Sequence, residues 1–470
     1  MHIQQELKFI KYHHGAYVSA CLNIINQEQR HILLRPFNRF SADFLSKIAH
    51  HNSPASFYVE YNESKQPLPE NVKLFNRDQD KIDAVFLFTP EAKELSKHLM
   101  DYLEPGPGLI VAPITEHFYQ NKPIFLISIP KSGTHLLYRL AELFGYKPGV
   151  ILSDEPSPGS WYCLEYSNSH TSAKDFFVDT VRRSPFGNRH HPFPRSPAIF
   201  IYRNPLDILV SEANYYHKEG KTVFHGYLNN RSFEERLLTL INDPWLLGSI
   251  RDRMGHFIPW LEFQNVIPIS FEELVGEQGG GSEEEQIKLI WSLQLKLHIP
   301  GKPRYFAENI FDKDSPTFHK GQAGSFRKYF TAEAYQKFAD LPQDFVAYLG
   351  YDFDDQKADN LIPNRSKEFR KRPLRYSETG FEDTSILIES NYLNHQIAKF
   401  KSHYYGIPHY LRLRLERQKS LTLKLLTSHR SLLELKRKIA KQPKVAAWVR
   451  KLFWYLYFGS IIYSKRIFNK

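Results

Sequence analysis

Ile124-Phe-Leu-Ile-Ser-Ile-Pro-Lys-Ser-Gly-Thr-His-Leu-Leu-Tyr-Arg-Leu-Ala-Glu-Leu-Phe144 begins as an apolar run through Ile129 and turns on the polar Pro130 to Gly133. It then continues with Leu136, Leu137, Leu140, Leu143 and Phe144 at helical spacing. An apolar run of this length without alternation suits a strand buried on both faces, and the change of period marks a strand-turn-helix unit. A second unit starts at Pro197-Ala-Ile-Phe-Ile-Tyr202, turns at Arg203-Asn204-Pro205 and carries Leu206, Leu209, Val210 and Ala213 on one helix face. Asn204 suits the N-cap and Pro205 the first helical position. A third has the strand Val266 to Phe271, the loop glycines Gly279 to Gly281, and Ser282 with Glu285 as a capping box for a helix bearing Ile287, Ile290 and Trp291. Strands alternating with helices define an α/β class: a parallel sheet flanked by helices, with ligands expected where strands end and helices begin.

Working outward, residues 1–120 read as an N-terminal α/β extension of unassigned role. It is irregular at first, then has a strand at Asp83 to Phe88, a helix opening at Thr89-Pro90 and carrying Leu95 and Leu99, and a further strand at Leu109 to Ala112. Residues 121–350 form the unit with the three repeats of strand and helix. Residues 351–410, polar with a basic stretch from Lys367 to Arg375, read as linker and small appendage. Residues 411–470 read as a basic, amphipathic helical tail. That tail holds 16 Lys/Arg against two Glu, a local charge of +14 in a chain of +11, so the first 410 residues sum to −3. The body is therefore not marked as a nucleic-acid binder.

Only Cys21 and Cys163 occur, too few for a disulfide framework or a zinc cluster, and a reducing compartment follows as the expectation. The start lacks a charged segment followed by an apolar one. The run Leu452 to Tyr463 is broken by Gly459 and falls short of the roughly 20 residues a bilayer requires. A cytoplasmic protein, soluble or peripheral at a membrane, is expected.

Three clusters carry chemistry. In Lys131-Ser132-Gly133-Thr134-His135, backbone amides at a helix start meet two hydroxyls and one ammonium, a set suited to an anion. The order differs from G-x-x-x-x-G-K-[ST], because Lys131 precedes Gly133 and no glycine lies upstream in the turn. Arg203 and Ser211 stand eight apart, at the strand end and two turns into the helix, so both can reach one phosphate. His319-Lys320-Gly321-Gln-Ala-Gly324-Ser325-Phe326 reads as an anion-binding flap.

The order Pro-Lys-Ser-Gly-Thr, then Arg-Asn-Pro-x-Asp with Ser eight after Arg, then Lys-Gly-x-x-Gly-x-aromatic resembles the cofactor motifs of the sulfotransferases over about residues 121–350. The resemblance implies a P-loop-NTPase-like sulfotransferase fold. It also implies in-line transfer of a sulfonate from 3′-phosphoadenosine 5′-phosphosulfate to a hydroxyl or amine, leaving 3′-phosphoadenosine 5′-phosphate (PAP). Lys131 to Thr134, with His135, would bind the 5′-phosphosulfate, and Lys131 would balance charge on the bridging oxygen. Arg203, Ser211, His319, Lys320 and Gly321 would surround the 3′-phosphate, with Phe271 near the nucleotide. The sequence departs from the family at Phe271 (usually Tyr), Phe326 (usually Trp), His319 (usually Arg) and His135 (usually Thr).

By the same resemblance His190, in Asn188-Arg-His-His-Pro192, falls at the place of the family's catalytic base; His191, Glu155 and Glu165 are the alternatives. A near-neutral imidazole suits proton removal. No metal is required by this chemistry. The acceptor, a small molecule, glycan or lipid-linked group, is not written in the motifs; Ser153 to Arg189 and Tyr215 to Asp243 are candidate pocket walls. Basic residues beside Trp448, Phe453 and Trp454 suit an anionic membrane surface, or a hairpin packed on the body. The competing readings are a catalytically inactive nucleotide-binding or membrane-anchored protein on the same fold, and a nucleotide-dependent phosphotransferase.

Overall fold

The computed structural model describes residues 5–25, 31–49, 55–60, 68–70, 72–103, 107–115, 121–149, 157–163, 192–219, 224–243, 247–255, 257–311, 322–353 and 361–376. His190, His191, Glu155, Glu165, His319, Lys320, Gly321 and the basic tail lie outside them.

Two parallel sheets organise the described chain. The first joins β1 (Glu6–Lys11), β2 (His31–Arg35), β3 (Ser56–Val59), β4 (Val72–Leu74), β5 (Ala84–Leu87) and β6 (Leu109–Ile114) in the order β1-β6-β5-β2-β3-β4, every pair parallel. Helices α1 (His14–Ile25), α2 (Arg39–Ile48) and α3 (Ala92–Met100) lie between its strands in the chain. Residues 5–25, 31–49 and 55–60, within the stretch before Asp83 that reads as irregular, thus hold regular α/β elements. Their strands are short, and in β2 only three apolar residues separate His31 from Arg35, which hides the pattern from a windowed reading. Helix α3 also starts later than Thr89-Pro90, with Glu91 at its N-cap.

The second sheet joins β7 (Ile124–Ser128), β8 (Lys147–Pro148), β9 (Ser160–Cys163), β10 (Ala198–Tyr202) and, beyond a two-residue pair β11 (Asn242–Asp243) and β12 (Gly248–Ser249), β13 (Val266–Ser270). Its order is β13-β10-β7-β9-β8, all parallel. Alternate residues of the central strands feed two cores. Phe125, Ile127, Phe200 and Tyr202 enter one; Ile124, Leu126, Ile199 and Ile201 enter the other. Both faces of β7 and β10 are therefore buried, as their unbroken apolar runs require.

Helix α4 (Thr134–Leu143) follows β7 and α5 (Pro205–Tyr215) follows β10. At the start of α5 the Leu206 N–H donates to Asn204 Oδ1 at 2.9 Å, with Pro205 in the first turn. The long helix α6 (Glu283–Leu297) is capped by Ser282, which accepts from the Glu285 N–H. Only that half of the expected capping box forms, because the Glu285 carboxylate instead takes Arg370 at 2.7 Å and Lys288 at 3.0 Å.

Helix α6 also joins the two sheets. Its Trp291 and Leu295 lie in the same core as Leu33, Val85, Leu95 and Ile110, and the Trp291 indole donates to the Tyr102 carbonyl at 3.0 Å. Residues 361–376, within the segment read as linker and small appendage, pack on the second sheet. Arg372 donates to the carbonyls of Leu261 and Val266, and Phe369 and Arg370 of helix α7 (Ser366–Lys371) are buried. A segment rich in Lys and Arg reads as solvated, and the carbonyl ends of a neighbouring element are invisible to composition.

Candidate anion-binding site

The loops after β7, β10 and β13 meet at one end of the second sheet. Chain order reverses between β7 and β10, since β8 and β9 add on one side and β10 and β13 on the other. A crevice at such a reversal, at the carboxyl ends of the strands, is where open parallel sheets bind ligands.

From β7 come Lys131 to Thr134. Lys131 has φ 70° and Gly133 φ 98°. A Cβ on Gly133 would stand 2.7 Å from Phe271 Cδ2, so glycine is required by both the backbone and the ring packed over it. Gly133 is the N-cap of α4 and no side chain caps that helix. Its first N–H groups therefore stay available to a ligand. Ser128 Oγ and Thr134 Oγ1 hydrogen-bond at 2.6 Å, tying strand to helix. Ser132 is fully buried, and its Oγ has no partner. A buried hydroxyl without a partner costs about 1–3 kcal/mol, and a bound oxyanion in the loop would relieve that cost.

From β10 comes Arg203, 7% exposed. Its guanidinium donates to the Lys131 carbonyl at 3.3 Å and the Gln322 carbonyl at 2.7 Å, and lies 4.2 Å from the centroid of the Phe271 ring. Its Nε is buried without a partner. Phe271 thus contacts both Gly133 and Arg203, as a platform for the arginine. Behind it, Glu272 accepts the Asn204 N–H at 2.9 Å and the Tyr351 hydroxyl at 2.8 Å, which fixes the turn. Burial pushes the Glu272 carboxyl up to about 7 against these bonds.

Helix α5 supplies the wall. Asp207, Val210, Ser211, Asn214 and Tyr215 recur at spacings of three and four, and with Lys218 they line a cavity of about 70 Å³ together with Lys131, Arg203, Gln322, Ser325 and Tyr329. Lys131, Arg203 and Ser211, expected to act together, thus share one cavity, with Ser132, Gly133 and Thr134 in its loop. His135 follows on the exposed side of the helix start. Partial desolvation at the helix start and the neighbouring Lys131 lower its imidazole below the usual range.

Asp207 was missed as a site residue. Fully buried, it accepts the N–H groups of Gly324 (2.7 Å) and Phe326 (2.9 Å) and the Ser325 hydroxyl (2.7 Å), and lies 3.7 Å from Arg203. It therefore anchors the described half of the flap to α5. Tyr215 and Lys218 fall within Tyr215 to Asp243, expected as a pocket wall, but are not singled out there; their helical spacing from Ser211 is the available signal.

Burial, with Arg203 and Lys218 nearby, brings the Lys131 ammonium down to about 8, while Glu212 opposes the drop. Glu212 itself is paired with Arg253 at 2.7 Å. Among the described residues, no group of three or more His, Cys, Asp or Glu is placed to hold a metal ion, and no helix is long and apolar enough to cross a membrane.

Fold and site together define a parallel α/β protein with a candidate strand-loop-helix anion site at the reversal of its second sheet. Its solved neighbours include mouse sulfotransferase SULT7A1 complexed with PAP, at 18% identity, covering 55% of this chain and 90% of that one, TM-score 0.34. They also include retinol dehydratase in complex with androsterone and inactive cofactor PAP, at 14% identity, covering 49% and 82%, TM-score 0.27. No family model matches the chain, and no curated protein does.

Proposed function

We propose that the protein is a sulfotransferase acting from 3′-phosphoadenosine 5′-phosphosulfate on a hydroxyl or amine acceptor. The observation that carries this is that Lys131, from the loop after β7, shares one cavity with Arg203 and Ser211, while Ser132 Oγ in the same loop and Arg203 Nε are buried without a partner. Those unpaired groups suit an anionic ligand. The bound donor would supply an activated sulfonate, whose bond to the 5′-phosphate breaks as the bond to the acceptor forms.

The chain's own residues would do the positioning and the electrostatics. The α4 amides, Ser132 and Thr134 would hold the 5′ end, and Lys131 would balance charge on the bridging oxygen. Arg203 and Ser211, with Lys320 and Gly321, would hold the 3′-phosphate. Asp207 keeps Gly324 to Phe326 against α5, which holds the flap close to Arg203. His190 would take the acceptor's proton. The tail 411–470, at +14, is proposed to lie on an anionic membrane surface in the cytoplasm, which suits a lipid-linked or glycan acceptor.

The test is a thermal shift with PAP on the wild type, Lys131→Ala and Arg203→Ala. Ligand at 100 times its dissociation constant should stabilise the wild type by about 2.7 kcal/mol, and both variants should lose most of the shift. No shift at millimolar PAP in a cooperatively melting protein sinks the proposal. His190→Ala should keep the shift and abolish turnover; a variant that keeps turnover removes His190 as the base.

A further inference from the structure

The Lys131 ammonium lies 3.7 Å from the centroid of the Tyr215 ring, the shortest such distance among the described cation–ring contacts. Tyr215 ends α5, one turn beyond Ser211, and both line the cavity. The charged groups facing Lys131 are Glu212 from α5, Arg203 from the turn after β10, and Lys218 just past α5; His135 approaches from α4. Asp207 and Tyr329 line the same cavity. Arg203 and Lys218 repel the ammonium, and the attracting carboxylate, Glu212, is held by Arg253. The face of an aromatic ring attracts a cation without carrying net charge. A carboxylate in that place would hold the lysine more tightly but would repel an incoming anion with a full charge. A neutral ring repels it far less.

We propose that Tyr215 is a positioning residue for Lys131: its ring seats the ammonium beside the loop, charged and free to turn to an anion. The role in donor binding rests on the sulfotransferase reading; the seating of the lysine does not. Tyr215 is only partly buried, and its ring, not its hydroxyl, is the part in use, so Tyr215→Phe should retain the function.

The experiment has two arms. In the first, Lys131 is labelled competitively with acetic anhydride across pH 6–11 and followed at peptide level in the wild type, Tyr215→Phe, Tyr215→Leu and Tyr215→Met. Lys131 should titrate alike in the wild type and the Phe variant, and about half to one pH unit lower in the Leu and Met variants. In the second, PAP affinity at pH 8 should fall about three- to tenfold in the Leu and Met variants and recover in Phe. Leu and Met variants that titrate with the wild type, or a Phe variant that falls with them, overturn the proposal. Met matches the bulk of the site if Leu fails to fold. Should PAP bind no variant, wild type included, the sulfotransferase reading fails, and the labelling arm still decides the role of Tyr215.

Discussion

Lys131 combines two tendencies that oppose each other with pH. Its charged form attracts anions, so PAP affinity should fall as pH rises through about 8, measured by calorimetry at constant ionic strength. Folding responds in the opposite direction. A lysine lowered to about 8 in the native state, against an ordinary 10.5, binds fewer protons folded than unfolded across that window, so stability without ligand rises with pH there. Lys296, lowered to about 7 by burial, pulls the same way. Cys21, pushed up to about 12 by burial, and the buried tyrosines pull the other way as pH rises, so the lysine is read by difference: between pH 8 and pH 10 the wild-type urea midpoint should gain on that of Lys131→Met, and a parallel course in both would assign the effect elsewhere. At Gly133 the argument is steric. Alanine there must hold φ 98° and meet Phe271, so Gly133→Ala should cost at least about 1–3 kcal/mol in denaturant unfolding and weaken PAP binding.

At the scale of elements, one helix does much of the assembly. Helix α5 presents Asp207, Ser211 and Tyr215 along a single stripe, so the flap, the cavity wall and the lysine seat move together. Asp207→Asn would turn an acceptor of three bonds into a group whose amide faces an N–H donor. The expected loss is about 1–3 kcal/mol, with faster tryptic cleavage after Arg327 or Lys328 as the loop detaches. Unchanged cleavage would show that packing of Phe326 alone holds the loop. The half-formed capping box of α6 shows the same competition: Glu285 is drawn to Arg370, and α7 is thereby pinned to α6.

For the whole molecule, Trp291 joins the two sheets. It belongs to α6, which packs on the second sheet, yet its ring is buried with the strands of the first. Trp291→Ala should cost about 3–5 kcal/mol and lower the melting of both parts together, visible as one calorimetric transition shifted as a unit. Two separated transitions in the wild type would contradict a shared core. The first sheet thus has a structural role, covering a face of α6 that would otherwise meet water.

The sequence alone carried the central strands and the loop of the site. The apolar run Ile124 to Ile129, the glycine before α4 and the Asn204-Pro205 start of α5 are contiguous signals, set by local burial and capping. It also put Arg203 and Ser211 within reach of each other, because strand end and helix periodicity fix their relative placement; Lys131 joined them only through the resemblance to the sulfotransferases. It did not carry the elements β1 to β4, α1 and α2 ahead of Asp83, where strands are too short for a period to emerge. Nor did it carry Asp207 clamping Gly324 across 117 residues, the Tyr215 ring on Lys131, or Trp291 under the first sheet. Those contacts exist because the sheet order brings distant loops to one end of neighbouring strands. A charge or ring has no sequence signature for a partner that only topology supplies.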